Sequence, residues 1–316
     1  MALWANRRAG AVSIAAAAWL GLIGCSQGPA KPDPAKTVEV QPDAPKGDPK
    51  SDNSTGVQQA VYVTPAKGAA SANPGPTDDP LFHPFAEAAL DANDPPAFVN
   101  MPVDVTVTGK PTFKLLNEVQ QLWNEIRFTT PEGKRIDYTA VLDTDFGQVQ
   151  IALRPDVAPN HVRSFVALIR AGYYDGMRFD RIHHEVPMDA PNEPTDFIEG
   201  GCPFDKGDPK DGSIGYWLKP EAGPALHHEI GAIGAMHGTM RDSAGCKFYI
   251  MLSDAPFMDG GYTVFGKVTK GLDVVRTIFG KPVIIDEYDW PGHNRPKDPL
   301  IIRKATVQTQ VASVVK

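Results

Sequence analysis

Of the 316 residues, 42% are hydrophobic and 22% charged, with 31 Lys and Arg against 38 Asp and Glu for a formal net charge of −7. An acidic chain without a run of basic residues excludes a nucleic-acid partner, which asks for a positive face. The sequence carries no evident nucleophile motif, cofactor loop or metal box, so it favours a reaction that makes and breaks no covalent bond.

Residues 1–25 read as a processing segment outside the fold. Arg7 and Arg8 supply a short positive region, residues 11–23 an apolar run, and Leu22-Ile23-Gly24-Cys25 its end. The run is shorter than the ~20 apolar residues that span a bilayer. A small residue before a cysteine at this point resembles the lipobox of bacterial lipoproteins. That resemblance implies a diacylated Cys25 as the mature N-terminus, and Ser26 after it favours the outer over the inner membrane. The chain is then held at the cell envelope, facing the periplasm, by its lipid alone. An ordinary secretory peptide is the plainer alternative, and the twin-arginine pattern is incomplete. Residues 26–80, rich in Pro, Ala, Gly, Asp and Ser, cannot bury enough apolar surface to order themselves and read as a disordered tether.

Residues 81–136 read as an N-terminal extension with one helix. Positions 103–108 alternate like a short strand. Phe113, Leu116, Val119, Leu122 and Ile126 recur at helical spacing across 111–127. A turn follows at Thr130-Pro131-Glu132-Gly133. From 137 to 308 strands dominate, and 309–316 reads as a tail. Two strands over 138–153 join at Thr144-Asp145-Phe146-Gly147. Pro159 opens a helix with Val162, Phe165, Val166 and Ile169 on one side and Gly172 at its end. Further strands are expected at 178–182, 197–200, 232–236, 246–252, 262–268 and 300–307, with a second helix at Leu272–Phe279. Many antiparallel strands with two short helices predict an all-β-dominated fold closed into a barrel, because closure removes exposed edges.

Six separated motifs carry a more specific resemblance. Val157-Ala-Pro-Asn-His-Val-Arg-Ser-Phe165, Gly172-Tyr-Tyr-Asp-Gly176, Phe179-Asp-Arg-Ile182, Phe197-Ile-Glu-Gly-Gly201, Phe248-Tyr-Ile250 and Asp259-Gly-Gly-Tyr-Thr-Val-Phe-Gly266 run in the order found in cyclophilins, over about 138–307. The resemblance implies an eight-stranded antiparallel barrel capped by two helices, with its site in a groove on the outer face. It also implies cofactor-free peptidyl-prolyl cis-trans isomerisation of proline-containing polypeptides, and a monomer is expected.

Rotation about an amide meets a barrier of ~18–20 kcal/mol, which makes X–Pro isomerisation slow. Twisting the bond leaves the proline nitrogen pyramidal and basic, so a fixed donor stabilises the twisted state more than the planar one. Arg181 matches the family's catalytic arginine. Phe197, Tyr249, Phe257 and Met258 match its proline pocket; Glu199, His237, Gly238, Lys247 and Tyr262 match other groove positions. Taken singly, an arginine on a strand reads as a solvated residue and alternate aromatics as core; their place among six ordered motifs assigns them to a site.

Several positions depart from the family pattern. Asp196 and Phe197 replace a phenylalanine and a methionine, Glu199 and Lys247 replace glutamines, and His237-Gly238 replaces alanine-asparagine. Tyr249 stands for phenylalanine, Tyr262 for histidine and Phe257 for tryptophan, and an insertion between Ile182 and Phe197 would rim the groove. A carboxylate about 4 Å from a guanidinium is worth ~4 kcal/mol at an effective dielectric of 20. A charge-assisted hydrogen bond to a substrate carbonyl nets ~1.5–3 kcal/mol. Glu199 is therefore expected to hold Arg181 while partly neutralising it, with Lys247 pairing with Glu199 in compensation. The expected enzyme is slow and weakly sensitive to cyclosporin-like ligands; a catalytically weak proline-peptide-binding module or chaperone is the alternative.

The pairs His183-His184 and His227-His228, with His237 near the groove, raise a metal site. Adjacent residues on a strand point to opposite faces, so neither pair chelates by itself and no metal is expected. Cys202 and Cys246 flank groove strands in the alignment. A disulfide in an oxidising compartment is one expectation, two separate thiols the other.

Overall fold

The computed structural model describes residues 74–186, 188, 193–204, 208–285 and 294–312. All of them belong to one compact unit, Ala60–Lys316. The expected processing segment with Cys25, nearly all of the expected tether and the middle of the 183–196 insertion lie outside the described residues.

Helix α1 (Phe85–Ala88), strand β1 (Ala89–Asp91) and helix α2 (Thr112–Trp123) precede the strand-rich part. There follow β2 (Ile136–Thr144), β3 (Gly147–Leu153), α3 (Pro159–Arg170), β4 (Arg178–Glu185), β5 (Thr195–Gly200) and β6 (Tyr216–Leu218). The chain continues through β7 (Ala232–Ala235), β8 (Phe248–Met251), β9 (Val264–Lys270), α4 (Leu272–Phe279), β10 (Val283–Ile285), β11 (Asn294–Pro296) and β12 (Leu300–Val311). Antiparallel pairing runs β4–β12–β2–β3–β9–β7–β8–β5, and β5 pairs back onto β4, so eight strands close a barrel. Helix α3 lies against β9 and β12, and α4 against β3 and β5. Inside, Phe165 packs on Phe248, Phe265 and Tyr174 with ring centroids 5.1–5.7 Å apart, among Ile151, Leu153, Ile198, Ile233 and Ile250.

Strand β8 shows how sequence alternation becomes two cores. Phe248 and Ile250 face the barrel interior. Tyr249 and Met251 face out and join Phe197, Met236, Met258 and Val264 in a second apolar cluster. A pure period of two would put Phe179 and Arg181 on the same side of β4. Instead the β4–β5 register shifts between those two residues. This bulge reverses the parity, so Phe179 and Ile182 both enter the interior cluster while Arg181 stands opposite Glu199.

The helix predicted over 111–127 ends at Trp123, and its buried face is Thr112, Leu115, Leu116, Val119 and Trp123. Phe113, expected inside, is 54% exposed. The strand expected over 103–108 is reduced to one bridge, Val105 to Pro111. The extension holds two helical segments rather than one, and its β1 pairs with β6, two three-residue strands too short for a periodic signal. Packing starts ahead of residue 80, with Pro76 and Asp79 buried. The first three residues of the expected tail belong to β12, which pairs Gln310 with Asp137 and Val311 with Ile136.

Helix α3 explains how the extension docks. It has no side-chain cap of its own; Glu221 reaches in from a loop and accepts from the backbone N–H groups of Asn160 and His161 at 3.0 and 2.9 Å. That satisfies two of the first-turn donors and places a negative charge at the positive end of the helix. Beyond the other end, Lys110 Nζ from the extension donates to the carbonyls of Gly172 and Asp175. In the middle, the fully buried Arg163 guanidinium lies over the rings of Phe82, Trp123 and Phe128, with its Cζ 5.1, 5.7 and 4.6 Å from their centroids. Nη1 donates to the Leu81 carbonyl at 3.1 Å. Burial lowers the Arg163 pKa to about 10, against the pull of Asp79, so the cage holds a cation at neutral pH.

Candidate active site

One row of register partners crosses four strands on the outer face: Arg181 of β4, Glu199 of β5, Tyr249 of β8 and Gly234 of β7. The next row brings His183 opposite Phe197 and Phe197 opposite Met251. The two rows bring together four of the site residues expected from the sequence, Arg181, Phe197, Glu199 and Tyr249.

Four buried charges link around Arg181. Its Nη1 donates to Glu199 Oε1 at 2.5 Å. Glu199 Oε2 meets Lys247 Nζ at 3.0 Å, and Lys247 also lies 3.4 Å from Asp180 Oδ1. Asp180 accepts from the Cys202 backbone N–H at 2.8 Å. Two guanidinium and ammonium charges thus balance two carboxylates, the condition for burying any of them. Burial pushes the Glu199 carboxyl up, but Lys247 and Arg181 outweigh it and hold the group below its ordinary value. At Asp180 burial prevails over Lys247, and its pKa is raised. The pairing of Glu199 with both cations follows the sequence expectation; the part of Asp180 does not, because only the bulge brings it there.

The apolar side of the site is densely packed. Phe197, Tyr249 and Met258 are no more than 6% exposed. The Arg181 guanidinium lies 5.8 Å from the Phe197 ring centroid, and Phe197 is tilted against Tyr249 at 5.6 Å. Phe257, expected at the same pocket, is 73% exposed. Tyr262 stacks on His237 at 4.0 Å, and His237 contacts the carbonyls of Gly238 and Gly261 at 2.7 and 3.1 Å. The Gly238 N–H donates to Ser243 Oγ at 2.9 Å.

A hydrogen-bond chain missed by sequence reasoning holds Tyr249. His228 Nδ1 meets Asp259 Oδ1 at 2.6 Å, and Nε2 meets the Tyr249 hydroxyl at 2.6 Å. A carboxylate only accepts, so Nδ1 carries the proton and Nε2 receives the one from Tyr249. Burial keeps His228 below its ordinary pKa, against the pull of Asp259, consistent with this neutral tautomer. The hydroxyl needs room that Gly234 provides, since a Cβ there would overlap the Tyr249 hydroxyl and Cζ. Gly234→Ala is therefore expected to lower stability by about 1–3 kcal/mol through overpacking. Tyr249→Phe in the same chain should recover part of that loss in urea unfolding.

The remaining candidates are dispersed. His183 is buried and His184 exposed, on opposite faces as expected; His184 pairs with Asp196 at 2.6 Å. His227 and His228 lie in no strand, and both turn Nδ1 to Asp259, at 2.7 and 2.6 Å. Cys202 and Cys246 are two buried thiols and no disulfide joins them. Cys246 turns into the interior cluster, while Cys202 Sγ is directed at the Asp211 carbonyl, 3.9 Å away. Burial pushes the Cys246 thiol up to about 12, which leaves it inert as a nucleophile.

Residues 139–307 match the model of the cyclophilin type peptidyl-prolyl cis-trans isomerase/CLD family. Peptidyl-prolyl cis-trans isomerase B of Bacillus subtilis is 34% identical over 135 residues, covering 42% of this chain and 85% of that protein. Peptidyl-prolyl cis-trans isomerase A of Dickeya dadantii is 31% identical over 172 residues, covering 53% and 83%. A crystal structure of a Cryptosporidium parvum cyclophilin type isomerase, obtained in the presence of the dipeptide Ala-Pro, is 24% identical with a TM-score of 0.45, covering 54% of this chain and 98% of its own. With its barrel order and over half its length matched to one family, the chain belongs to the cyclophilin-type peptidyl-prolyl cis-trans isomerases.

Proposed function

We propose that this isomerase works at the outer-face groove with Arg181 as the donor to the twisted imide, and that it turns over more slowly than typical cyclophilins. The observation that carries this reading is the hold on the guanidinium. Glu199 accepts from Nη1, and Nε is buried without a hydrogen-bond partner among the described residues. A donor already compensated by a carboxylate polarises a neutral imide less than a bare one, because the two fields oppose at the substrate. The packed notch adds to this, since a pyrrolidine ring has to displace part of the Phe197, Tyr249 and Met258 cluster to enter. A cyclosporin-like ligand meets the same resistance.

The proposed clients are envelope polypeptides, reached from a lipid on Cys25 through the tether of residues 26–80. The lipobox-like Leu22-Ile23-Gly24-Cys25 and the Pro-rich composition after it support this placement.

NMR magnetisation exchange on a prolyl tetrapeptide tests the site in the full chain. Arg181→Ala is expected to lower kcat/KM about 10- to 100-fold, the value of one charge-assisted hydrogen bond. A variant as active as the parent would remove Arg181 from the mechanism. A parent turnover equal to that of a typical cyclophilin assayed beside it would refute the slow-enzyme reading. Two inactive proteins that still bind the peptide would make the chain a binding module.

A further inference from the structure

We infer that His183 is a positioning residue for Arg181, and that through it acidification switches the isomerase down. This rests on reading Arg181 as the donor to the imide.

The geometry fixes the protonation state of His183. Its Nδ1 lies 3.1 Å from Arg181 Nη2. A guanidinium is always charged and has no acceptor, so Nδ1 must present its lone pair. The ring is then neutral with its proton on Nε2, which faces Glu185 Oε2 at 3.5 Å. Stacking on Phe197, with centroids 4.2 Å apart and planes 13° from parallel, fixes the ring itself. Glu199 thus holds one tip of the guanidinium fork and His183 the other. Two anchors on different nitrogens define the plane of the fork; one leaves it free to rotate about the remaining bond.

A second proton on His183 turns the acceptor into a donor and sets two cations about 3 Å apart, which Coulomb repulsion does not tolerate without movement. Charged groups around the ring include Arg181 and Glu185 of β4, Glu199 of β5 and Lys247 just before β8, beyond Glu199. Glu185 and Glu199 favour the imidazolium; Arg181 and Lys247 oppose it. Glu199 is itself held below the ordinary carboxylate range by Lys247 and Arg181 despite its burial. Between pH 8 and about 5.5 it stays ionised, and the proton that changes beside Arg181 is the one on His183. His184, the next residue, lies on the exposed face with Asp196 and does not enter.

The test is kcat/KM of the full chain on a prolyl tetrapeptide between pH 5.5 and 8, by NMR magnetisation exchange, which needs no coupling protease. Wild type is expected to lose about tenfold on acidification, the scale of one such hydrogen bond. His183→Leu keeps the apolar stacking surface and removes the acceptor. It should lower kcat rather than raise KM at pH 8, by about three- to tenfold, and abolish the acid fall. His183→Asn offers an acceptor that does not titrate; it should lie between wild type and His183→Leu at pH 8 and stay flat. Thermal unfolding at each pH reports whether the fold persists. Three superimposable pH profiles would overturn the inference while leaving the groove reading intact. An Arg181→Ala chain as active as wild type would defeat the groove reading and this inference with it.

Discussion

Lys247→Met is expected to lower the stability of the full chain by about 3–5 kcal/mol, the usual consequence of deleting one partner of a buried ion pair. Lys247 is 2% exposed, and its ammonium is the counter-charge for both Glu199 and Asp180. Without it, Arg181 alone faces two buried carboxylates. Urea unfolding should show a lower midpoint with an unchanged slope, as expected when stability alone changes. The direction with pH follows from the two carboxyls. Glu199, held low in the native chain, contributes stability that is present above its unfolded pKa and lost as pH falls through the folded one. Asp180, raised by burial, disfavours folding once it ionises. Removing Lys247 raises both, so the deficit should be largest at neutral pH and shrink toward pH 4–5 as protons replace the missing ammonium. A deficit below 1 kcal/mol at pH 7 would mean that water reaches the network.

Arg163→Ala should cost about 3–5 kcal/mol as well, by a different route. The guanidinium fills the space between Phe82, Trp123 and Phe128 and ties Leu81 to α3. Truncation leaves a void among aromatic faces and removes the cation those faces surround. Asp79 keeps its bonds to the backbone N–H of Phe128 and the hydroxyl of Thr129, at 2.6 and 3.1 Å, so the turn itself survives. The loss should therefore appear first as faster proteolysis of residues 74–135 under native conditions, ahead of global unfolding. Equal protease resistance in parent and variant would show that the contacts of α1, β1 and α2 suffice without the cage.

Much of this architecture can be read in the chain because burial repeats with the period of the backbone. Phe248 and Ile250 alternate with Tyr249 and Met251, and helix Leu272–Phe279 has the bounds its pattern predicts. The Arg181–Glu199–Lys247 cluster was accessible from motif positions, because the alignment brings three distant charges together. Asp180, His183 and His228 were not. Asp180 depends on a bulge, a local irregularity that carries no periodic trace, and His228 on a loop that folds over Tyr249. His183 shares the face of Arg181 by strand alternation, but its contact with Nη2 is a side-chain geometry that spacing does not state. Phe113 misled because its spacing fits a stripe displaced from the one α2 actually buries. Arg163 gave no warning either, since a charge inside a helix motif reads as solvated until three aromatic rings from 35 to 81 residues upstream close around it.

The place of β12 has a consequence for how the molecule is made. It is the last of the eight barrel strands in chain order, yet it sits between β4 and β2 and pairs with both. Until residues 300–311 arrive, those two neighbours present unpaired N–H and C=O groups to any passing strand. A nascent chain that has not yet reached residue 300 cannot seal the cylinder and must wait open, and that interval is when association with other chains is most favoured.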